Sequence, residues 1–231
     1  MKTKLLNKRL FIFDLDGTIL DTIGDIAAAV NSALAVYGFP KRSVREVQSY
    51  LGNGSLMLMK RAIPVERDDD FCREVREHFR RAYETGMYES TAAYGGICEL
   101  IDELNSLGAV CAVISNKDDK NAVPMVKRYF GERFAYVRGV RGDTDRKPNP
   151  EVTLSVIREL GFTPEQTVFI GDGIADCEVS KNAGTEFVPI GYGYTENGRL
   201  FDASGKAPCE SVAELKRVLI ECFKRSEGAD D

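Results

Sequence analysis

The sequence contains Leu10-Phe-Ile-Phe-Asp14-Leu-Asp16-Gly-Thr18, in which four apolar residues are followed at once by an acidic pair. A short, continuous apolar run predicts a strand that is covered on both faces, as the strands of parallel sheets are. In open α/β sheets, ligands bind beyond the carboxyl ends of the strands. Asp14 and Asp16 are therefore predicted to lie at a binding edge.

Further apolar runs of the same kind occur along the chain, with helical periodicity between them. Val110–Ile114, Thr167–Ile170 and Glu186–Ile190 predict three more strands, and Phe134–Val137 is a further candidate. Before Val110–Ile114, apolar residues recur at helix spacing from Ile97 to Leu107. Alternating strands and helices predict a doubly wound parallel α/β sheet.

The segment from residue 21 to residue 90 departs from this alternation. It carries four helical patterns and no strand pattern, and Ser43 with Glu46 predicts a capping box at the start of one helix. We therefore expect an α-helical cap domain at residues 21–90, inserted into a core domain formed by residues 1–20 and 91–231.

The composition narrows the class of protein. The net charge of -5 argues against nonspecific nucleic-acid binding, which needs a basic face. No apolar run approaches the roughly 20 residues that span a bilayer. The basic start Met1–Arg9 is followed by no small-residue cleavage site, which favours a cytoplasmic protein. The six cysteines form no Cys-x-x-Cys pair, and this pattern is typical of reduced, buried thiols.

The acidic pair after the first strand indicates phosphate or metal chemistry. Two carboxylates separated by one residue point to the same side if the strand continues, and they repel each other unless a cation joins them. A hard divalent ion such as Mg²⁺ prefers such oxygen ligands. One carboxylate could then attack phosphorus while the other handles protons. The alternative is a polar loop in which an aspartate caps a helix.

Polar residues also follow the other predicted strands. Ser115 and Asn116 offer donors for phosphate oxygens, although such a pair alone is more often a turn or a helix cap. Lys147 could neutralise charge on a phosphoryl group, or it could be a solvated surface lysine. Asp172 suits a metal ligand, and Asp176 could be no more than an acidic residue at a helix N-terminus.

Taken in order, these motifs resemble those of the haloacid dehalogenase superfamily. The four matching segments are Phe13–Thr18, Val113–Asn116, Arg146–Pro150 and Phe169–Asp176. The resemblance covers residues 10 to about 195 and implies a Rossmann-like core.

The resemblance also implies a role for each residue. Asp14 would be the nucleophile that forms an aspartyl-phosphate, and Asp16 would act as general acid and then general base. Mg²⁺ would be held by Asp14, the backbone carbonyl of Asp16, and Asp172. Phosphate would be bound by Ser115, Asn116 and Lys147, while Thr18 and Asp176 would support the site.

The inserted helices resemble the cap of the phosphoglycolate phosphatase-like branch. The loop Gly52-Asn53-Gly54 is similar to that branch's cap loop, although Asn-Gly is also a common turn between helices. The resemblance implies a small phosphorylated metabolite, such as 2-phosphoglycolate, as substrate.

Other functions stay open at this point. A haloacid dehalogenase or a phosphonate hydrolase needs no second aspartate, so Asp16 argues against both. A sugar-phosphate mutase keeps both aspartates, but Thr18 resembles the phosphatases. A non-catalytic phosphate-binding regulatory protein is disfavoured because Asp14, Asp16, Lys147 and Asp172 are all present.

Overall fold

A computed structural model describes residues 9–224 of the chain, which form two compact units. One unit is Leu20–Ala92, and the other combines residues 9–19 with residues 93–224. The strands are β1 (Leu10–Phe13), β2 (Leu20–Asp21), β3 (Ala92–Ala93), β4 (Val110–Asp118), β5 (Tyr136–Val140), β6 (Thr167–Gly171) and β7 (Glu186–Pro189). The helices are α1 (Ile23–Val36), α2 (Val44–Tyr50), α3 (Gly54–Ala62), α4 (Asp69–Gly86), α5 (Ile97–Ser106), α6 (Asp119–Phe130), α7 (Glu151–Glu159), α8 (Ile174–Ala183), α9 (Asn197–Ser204) and α10 (Val212–Lys224).

The larger unit is built on a parallel sheet of five strands in the order β5-β4-β1-β6-β7. β1 lies at its centre and pairs in parallel with both β4 and β6. Strands that are parallel need crossover connections, and helices α5 to α8 provide them. The predicted α/β class with a parallel sheet is therefore confirmed.

The central strand is apolar throughout because both of its faces are covered. All four side chains of β1 are fully buried. Leu10 and Ile12 pack in a cluster with Val156 of α7 and Val179 of α8. On the opposite face, the ring of Phe13 meets Phe134 edge-on at 6.0 Å between ring centroids. Side chains alternate between the faces of a strand, so burial of both faces needs the continuous apolar run seen in the sequence.

The smaller unit, Leu20–Ala92, consists of helices α1 to α4, in which α1 packs extensively against α4. The predicted capping box is present at α2, where Ser43 Oγ accepts from the backbone N–H of Glu46 and the Glu46 carboxylate accepts from that of Ser43. Asp68 caps α4 by accepting from the backbone N–H of Phe71 at 2.8 Å. These side chains satisfy donors that would otherwise have no partner at the helix ends.

The entry and exit segments of this unit are fastened to each other. Strands β2 and β3 pair, and the carboxylate of Asp25 in α1 accepts four hydrogen bonds from the segment just before β3. Ser90 donates to Asp25 Oδ1 through its backbone N–H at 2.8 Å and its hydroxyl at 2.6 Å. Thr91 donates to Oδ2 through the same two groups, at 2.9 Å and 2.6 Å. The start and the end of the inserted unit are therefore tied by one charged group.

The structure bears on the predictions about membrane-spanning segments and about the cysteines. No helix among the described residues is long and apolar enough to cross a membrane. No disulfide joins the cysteines, all six of which lie within the described range. The basic segment before Arg9 lies outside the described residues, and a cytoplasmic location stays a prediction.

We expect Asp25→Asn to destabilise the protein by about 1–3 kcal/mol, because one amide nitrogen would then face donors that the carboxylate now satisfies. Burial would raise the pKa of Asp25, but the hydrogen bonds from Ser90 and Thr91 lower it below its ordinary value of 3.8. The stabilisation from this carboxylate is therefore present above that ordinary pKa and is lost as the pH falls through the lowered one. Urea denaturation at neutral and acidic pH measures both effects.

The matched control is Asp70→Asn in the same unit, since that carboxylate is 95% exposed and pairs only at the surface with Arg73. It should change the unfolding free energy by no more than about 0.5 kcal/mol. An equal decrease in the unfolding free energy of the two variants would contradict the proposed importance of the Asp25 network.

Candidate active site

The register of three neighbouring strands brings the polar motifs to one edge of the sheet. Phe13 pairs with Val113 of β4 and with Ile170 of β6, so the residues that come next in the three segments lie abreast. The backbone N–H of Asp14 continues the ladder by donating to Ile170 O at 2.8 Å. The predicted motifs of β1, β4 and β6 are thereby brought together at the carboxyl edge.

Lys147 is the centre of this cluster. Its side chain is only 3% exposed, and its ammonium nitrogen lies 2.8 Å from Asp14 Oδ1 and 2.6 Å from Asp176 Oδ1. It also donates to the backbone carbonyl of Ile114 at 3.2 Å. The ammonium group therefore donates hydrogen bonds to Ile114 and Asp176, whereas its contact with Asp14 is an ion pair.

Asn116 holds Lys147 in position through the backbone. The amide of Asn116 accepts from the backbone N–H of Lys147 at 2.8 Å and donates to its carbonyl at 3.1 Å. This two-point contact gives Asn116 a positioning role for the lysine. Its expected role in phosphate binding stays a prediction.

Ser115, which is buried in the same strand, presents a hydroxyl at this edge. Its oxygen accepts from the backbone N–H of Lys117 at 3.2 Å. Because this bond uses a lone pair, the hydroxyl proton remains a donor for an incoming anion. Phosphate binding by Ser115 is thus compatible with its surroundings.

Asp172 directly follows β6 and is held by residues of two loops. Thr18 donates its hydroxyl proton to Asp172 Oδ1 at 3.0 Å, and the backbone N–H of Tyr194 donates to Oδ2 at 2.7 Å. The chain passes Asp172 so closely that a Cβ added at Gly193 would lie 2.3 Å from Asp172 Cβ. A Cβ at Gly17, whose φ is +84°, would lie 2.5 Å from Asp172 Oδ2. Two glycines are therefore needed for the loops to close around this carboxylate.

Asp176 is fully engaged by protein groups. In addition to the ion pair with Lys147, its Oδ2 accepts from the backbone N–H of Gly173 at 2.9 Å, at the start of α8. Helix N-termini favour negative charge, which adds to the stability of this carboxylate. The expected supporting role of Asp176 fits these contacts.

The electrostatics of the cluster favour a bound cation. One oxygen from each of Asp14, Asp172 and Asp176 lies within 4.8 Å of the others. Burial and the charge of Asp176 raise the pKa of Asp14 to about 6, although Lys147 opposes the shift. Burial and the charges of Asp14 and Asp176 raise the pKa of Asp172 to about 8. Burial alone would lower the pKa of Lys147, but the carboxylates of Asp14 and Asp176 raise it.

Two features of this site were not predicted from the sequence. Lys117 lies with its ammonium nitrogen 2.8 Å and 3.0 Å from the two carboxylate oxygens of Asp16. The loop Tyr192–Tyr194 also contributes, since Tyr192 donates its hydroxyl proton to Thr18 O at 3.1 Å and Tyr194 contacts Asp172. The only sequence signal for Lys117 was its position directly after Ser115 and Asn116.

The loop Gly52-Asn53-Gly54 belongs to the helical unit and is braced within it. Arg61 of α3 donates to Asn53 Oδ1 at 2.8 Å and to the carbonyl of Tyr50 at 2.7 Å. Lys60, on the same helix, pairs with Asp69 at 2.6 Å. The two basic side chains near the loop thus have partners in their own unit, and the loop's expected role in substrate choice stays a prediction.

Comparisons with known proteins assign this fold and site to a class. The model of the haloacid dehalogenase-like hydrolases matches residues 11–190. The phosphoglycolate phosphatase of Pseudomonas putida KT2440 is 33% identical over 228 residues, which cover 95% of this chain and 82% of that protein. The chain therefore belongs to the haloacid dehalogenase-like hydrolase family.

Solved structures agree with this assignment. The crystal structure of "a predicted phosphoglycolate phosphatase" from Haemophilus somnus has a TM-score of 0.84 at 25% identity, covering 92% of this chain and 98% of that one. A structure from Lactobacillus delbrueckii subsp. bulgaricus reaches a TM-score of 0.88 at 24% identity and covers 93% of this chain and 99% of that one. At that identity, the second likeness shows the fold alone.

The raised pKa of Asp172 predicts how the stability of the metal-free protein depends on pH. Folded Asp172 holds its proton up to about pH 8, whereas an unfolded aspartate loses it near 3.8. Folding therefore binds a proton between these values, and this group lowers stability by up to about 1.4 kcal/mol for each pH unit of increase. Asp172→Asn should flatten that slope in urea denaturation between pH 5 and pH 8 with a chelator present.

The exposed residue Asp202 of α9 provides the control. Asp202→Asn should keep the slope of the unsubstituted protein. If Asp172→Asn also kept that slope, Asp172 would be ionised in the folded metal-free protein.

Proposed function

We propose that this chain is a Mg²⁺-dependent phosphatase that hydrolyses a small phosphate monoester through a phosphorylated Asp14. The observation that carries the proposal is the arrangement of Asp14 and Asp16, each of which contacts a different lysine at the carboxyl edge of the sheet. A carboxylate beside Lys147 suits attack on phosphorus, and a second, separately held carboxylate suits proton transfer. Membership of a hydrolase family supports this chemistry.

The proposed reaction has two steps. In the first, an Asp14 oxygen bonds to phosphorus, the ester P–O bond breaks, and the leaving oxygen takes a proton from the Asp16 carboxyl group. In the second, Asp16 removes a proton from water as the water oxygen bonds to phosphorus. The bond between phosphorus and Asp14 then breaks, which releases inorganic phosphate and restores both carboxyl groups. Lys147 offsets negative charge on the phosphoryl oxygens throughout.

The donor set around Asp14 fits Mg²⁺. We propose that Asp14, Asp172 and the backbone carbonyl of Asp16 hold the ion, because Asp176 already bonds Lys147 and the backbone N–H of Gly173. The candidate ligands are all oxygens, which Mg²⁺ prefers over softer metals. A bound Mg²⁺ would supply positive charge that stabilises the transferring phosphoryl group.

The relatives point to a substrate class. The similar protein from Pseudomonas putida is named a phosphoglycolate phosphatase, and the chain spans most of its length. We propose 2-phosphoglycolate, or another small acidic phosphate ester, as the substrate. Neither a mutase nor a non-catalytic binding protein is favoured by these relatives, so phosphate should go to water rather than to another position of a sugar.

The test of the proposed function is release of phosphate from 2-phosphoglycolate and from an aryl phosphate. Turnover should need Mg²⁺, and excess chelator should abolish it reversibly. Asp14→Asn should reduce turnover by at least about a thousandfold, because an amide cannot serve as the nucleophile. Asp202→Asn should retain full activity.

A near-normal rate for folded Asp14→Asn would exclude Asp14 as the nucleophile. Undiminished turnover in excess chelator would exclude the metal. Folding of each variant is checked by circular dichroism.

The role of the Gly52–Gly54 loop can be tested separately. Gly54 has a φ of +79°, so replacing it would strain the backbone, and Asn53→Ala is the cleaner change. If the loop selects the substrate, loss of the Arg61 contact should raise KM for 2-phosphoglycolate by about tenfold. The KM for the aryl phosphate should hardly change. Equal effects on both substrates would indicate a structural loop.

A further inference from the structure

The contact between Lys117 and Asp16 is a second ion pair in the site, separate from the one around Lys147. The Lys117 side chain is only 6% exposed and that of Asp16 is 21% exposed, and the ammonium nitrogen lies 2.8 Å and 3.0 Å from the two carboxylate oxygens. A lysine that contacts both oxygens restricts rotation of the carboxyl group. The sequence places these partners 101 residues apart, so the fold has to bring them together.

The segment that carries Lys117 is itself fixed. It lies near the end of β4, where the register of pairing with β5 shifts between Ile114 and Asp118. The backbone N–H of Lys117 donates to Ser115 Oγ at 3.2 Å. From the other side, β5 approaches so closely that a Cβ added at Gly139 would lie 2.6 Å from Lys117 O. Because the backbone at Lys117 is held in this way, its ammonium group can hold the carboxylate of Asp16 in one place.

The charges of the site are thus divided between two lysines. Lys147 contacts Asp14 and Asp176, whereas Lys117 contacts Asp16. In the proposed reaction, Asp14 forms and breaks the bond to phosphorus, while Asp16 only moves protons. The carboxylate that reacts with phosphorus and the carboxylate that transfers protons therefore contact different lysines.

We propose that Lys117 is a positioning residue that holds the Asp16 carboxyl group in place for both of its proton transfers. The proposal rests on the phosphatase function proposed above. In the first step, Asp16 must direct its proton at the leaving oxygen, and in the second it must face the attacking water. Proton transfer of this kind needs the donor and acceptor atoms within hydrogen-bond reach. Without Lys117, the carboxyl group would rotate and spend less time in that position.

The expected signature is a dependence on the leaving group. An alkyl phosphate releases a strongly basic alkoxide, so breaking its ester bond needs the proton from Asp16. A nitrophenyl phosphate releases a stable anion, so forming the aspartyl-phosphate from it needs little help from an acid. Hydrolysis of that intermediate needs Asp16 as a base for either substrate.

The experiment compares Lys117→Met with the unsubstituted protein by stopped-flow and quench methods in saturating Mg²⁺. With 2-phosphoglycolate or another alkyl phosphate, formation of the aspartyl-phosphate should slow by about thirtyfold or more. This is part of the roughly hundredfold or larger contribution of general acid catalysis, because the acid is still present but spends less time in position. With nitrophenyl phosphate, formation should stay within about threefold, because little proton transfer is involved. The variant should then show a burst of nitrophenol followed by slow turnover, as the intermediate accumulates.

Two further variants separate positioning from a general structural effect. Lys117→Arg keeps the charge and the donors, so it should recover part of the lost rate with alkyl phosphates. Lys127→Met, on α6, removes a lysine that is 75% exposed and should behave like the unsubstituted protein. Thermal denaturation of each variant shows whether it is folded; removing Lys117 leaves Asp16 partly exposed to water, so we expect a folded protein.

The outcomes are distinguishable. The proposal is overturned if folded Lys117→Met forms the intermediate from alkyl phosphates at the unsubstituted rate. It is equally overturned if formation slows to the same extent for alkyl and nitrophenyl esters, since that would indicate a distorted site rather than a displaced acid. If the unsubstituted protein releases no phosphate from any ester, the phosphatase function itself fails.

Discussion

Mutual repulsion among the carboxylates at the end of the sheet is the constraint on which the site depends. Asp14, Asp172 and Asp176 present oxygens within 4.8 Å of one another in a largely buried place, where charges are poorly screened. The ammonium group of Lys147 contacts two of them. Removing one partner of a buried ion pair typically costs about 3–5 kcal/mol. The lysine is therefore part of the fold as well as of the site.

Much of the local structure can be understood as support for that lysine. Asn116 bonds the backbone of Lys147 at two points, and Ile114 O accepts from its ammonium group. Both partners are on β4, which pairs with β1 up to Phe13 and Val113, directly before Asp14 and Ile114. Residues of a paired strand thus fix the position of the Lys147 ammonium group. The same strand carries Lys117, whose ammonium group contacts Asp16.

The sheet and the main acidic residues could be predicted from the sequence because both depend on short segments. Leu10–Phe13 and Thr167–Ile170 are continuous apolar runs, and acidic or polar residues follow each of them directly. Side-chain contacts between distant segments were harder to predict. Lys117 meets Asp16, and the Tyr194 N–H meets Asp172, only because strands and loops far apart in the chain converge. The sequence also placed the end of the second predicted strand at Ile114, whereas β4 continues to Asp118 through an irregular register.

The pairing of β2 with β3 has a consequence for how this architecture can vary. Because the inserted unit begins and ends on neighbouring strands that Asp25 also fastens, its two ends stay side by side whatever lies between them. The entropy cost of closing a longer loop grows only slowly with its length. The helical unit can therefore change in length and in sequence without separating its two ends. The sheet that carries the carboxylates depends on its own contacts and can fold as before. A single core chemistry can in this way be combined with many different inserts.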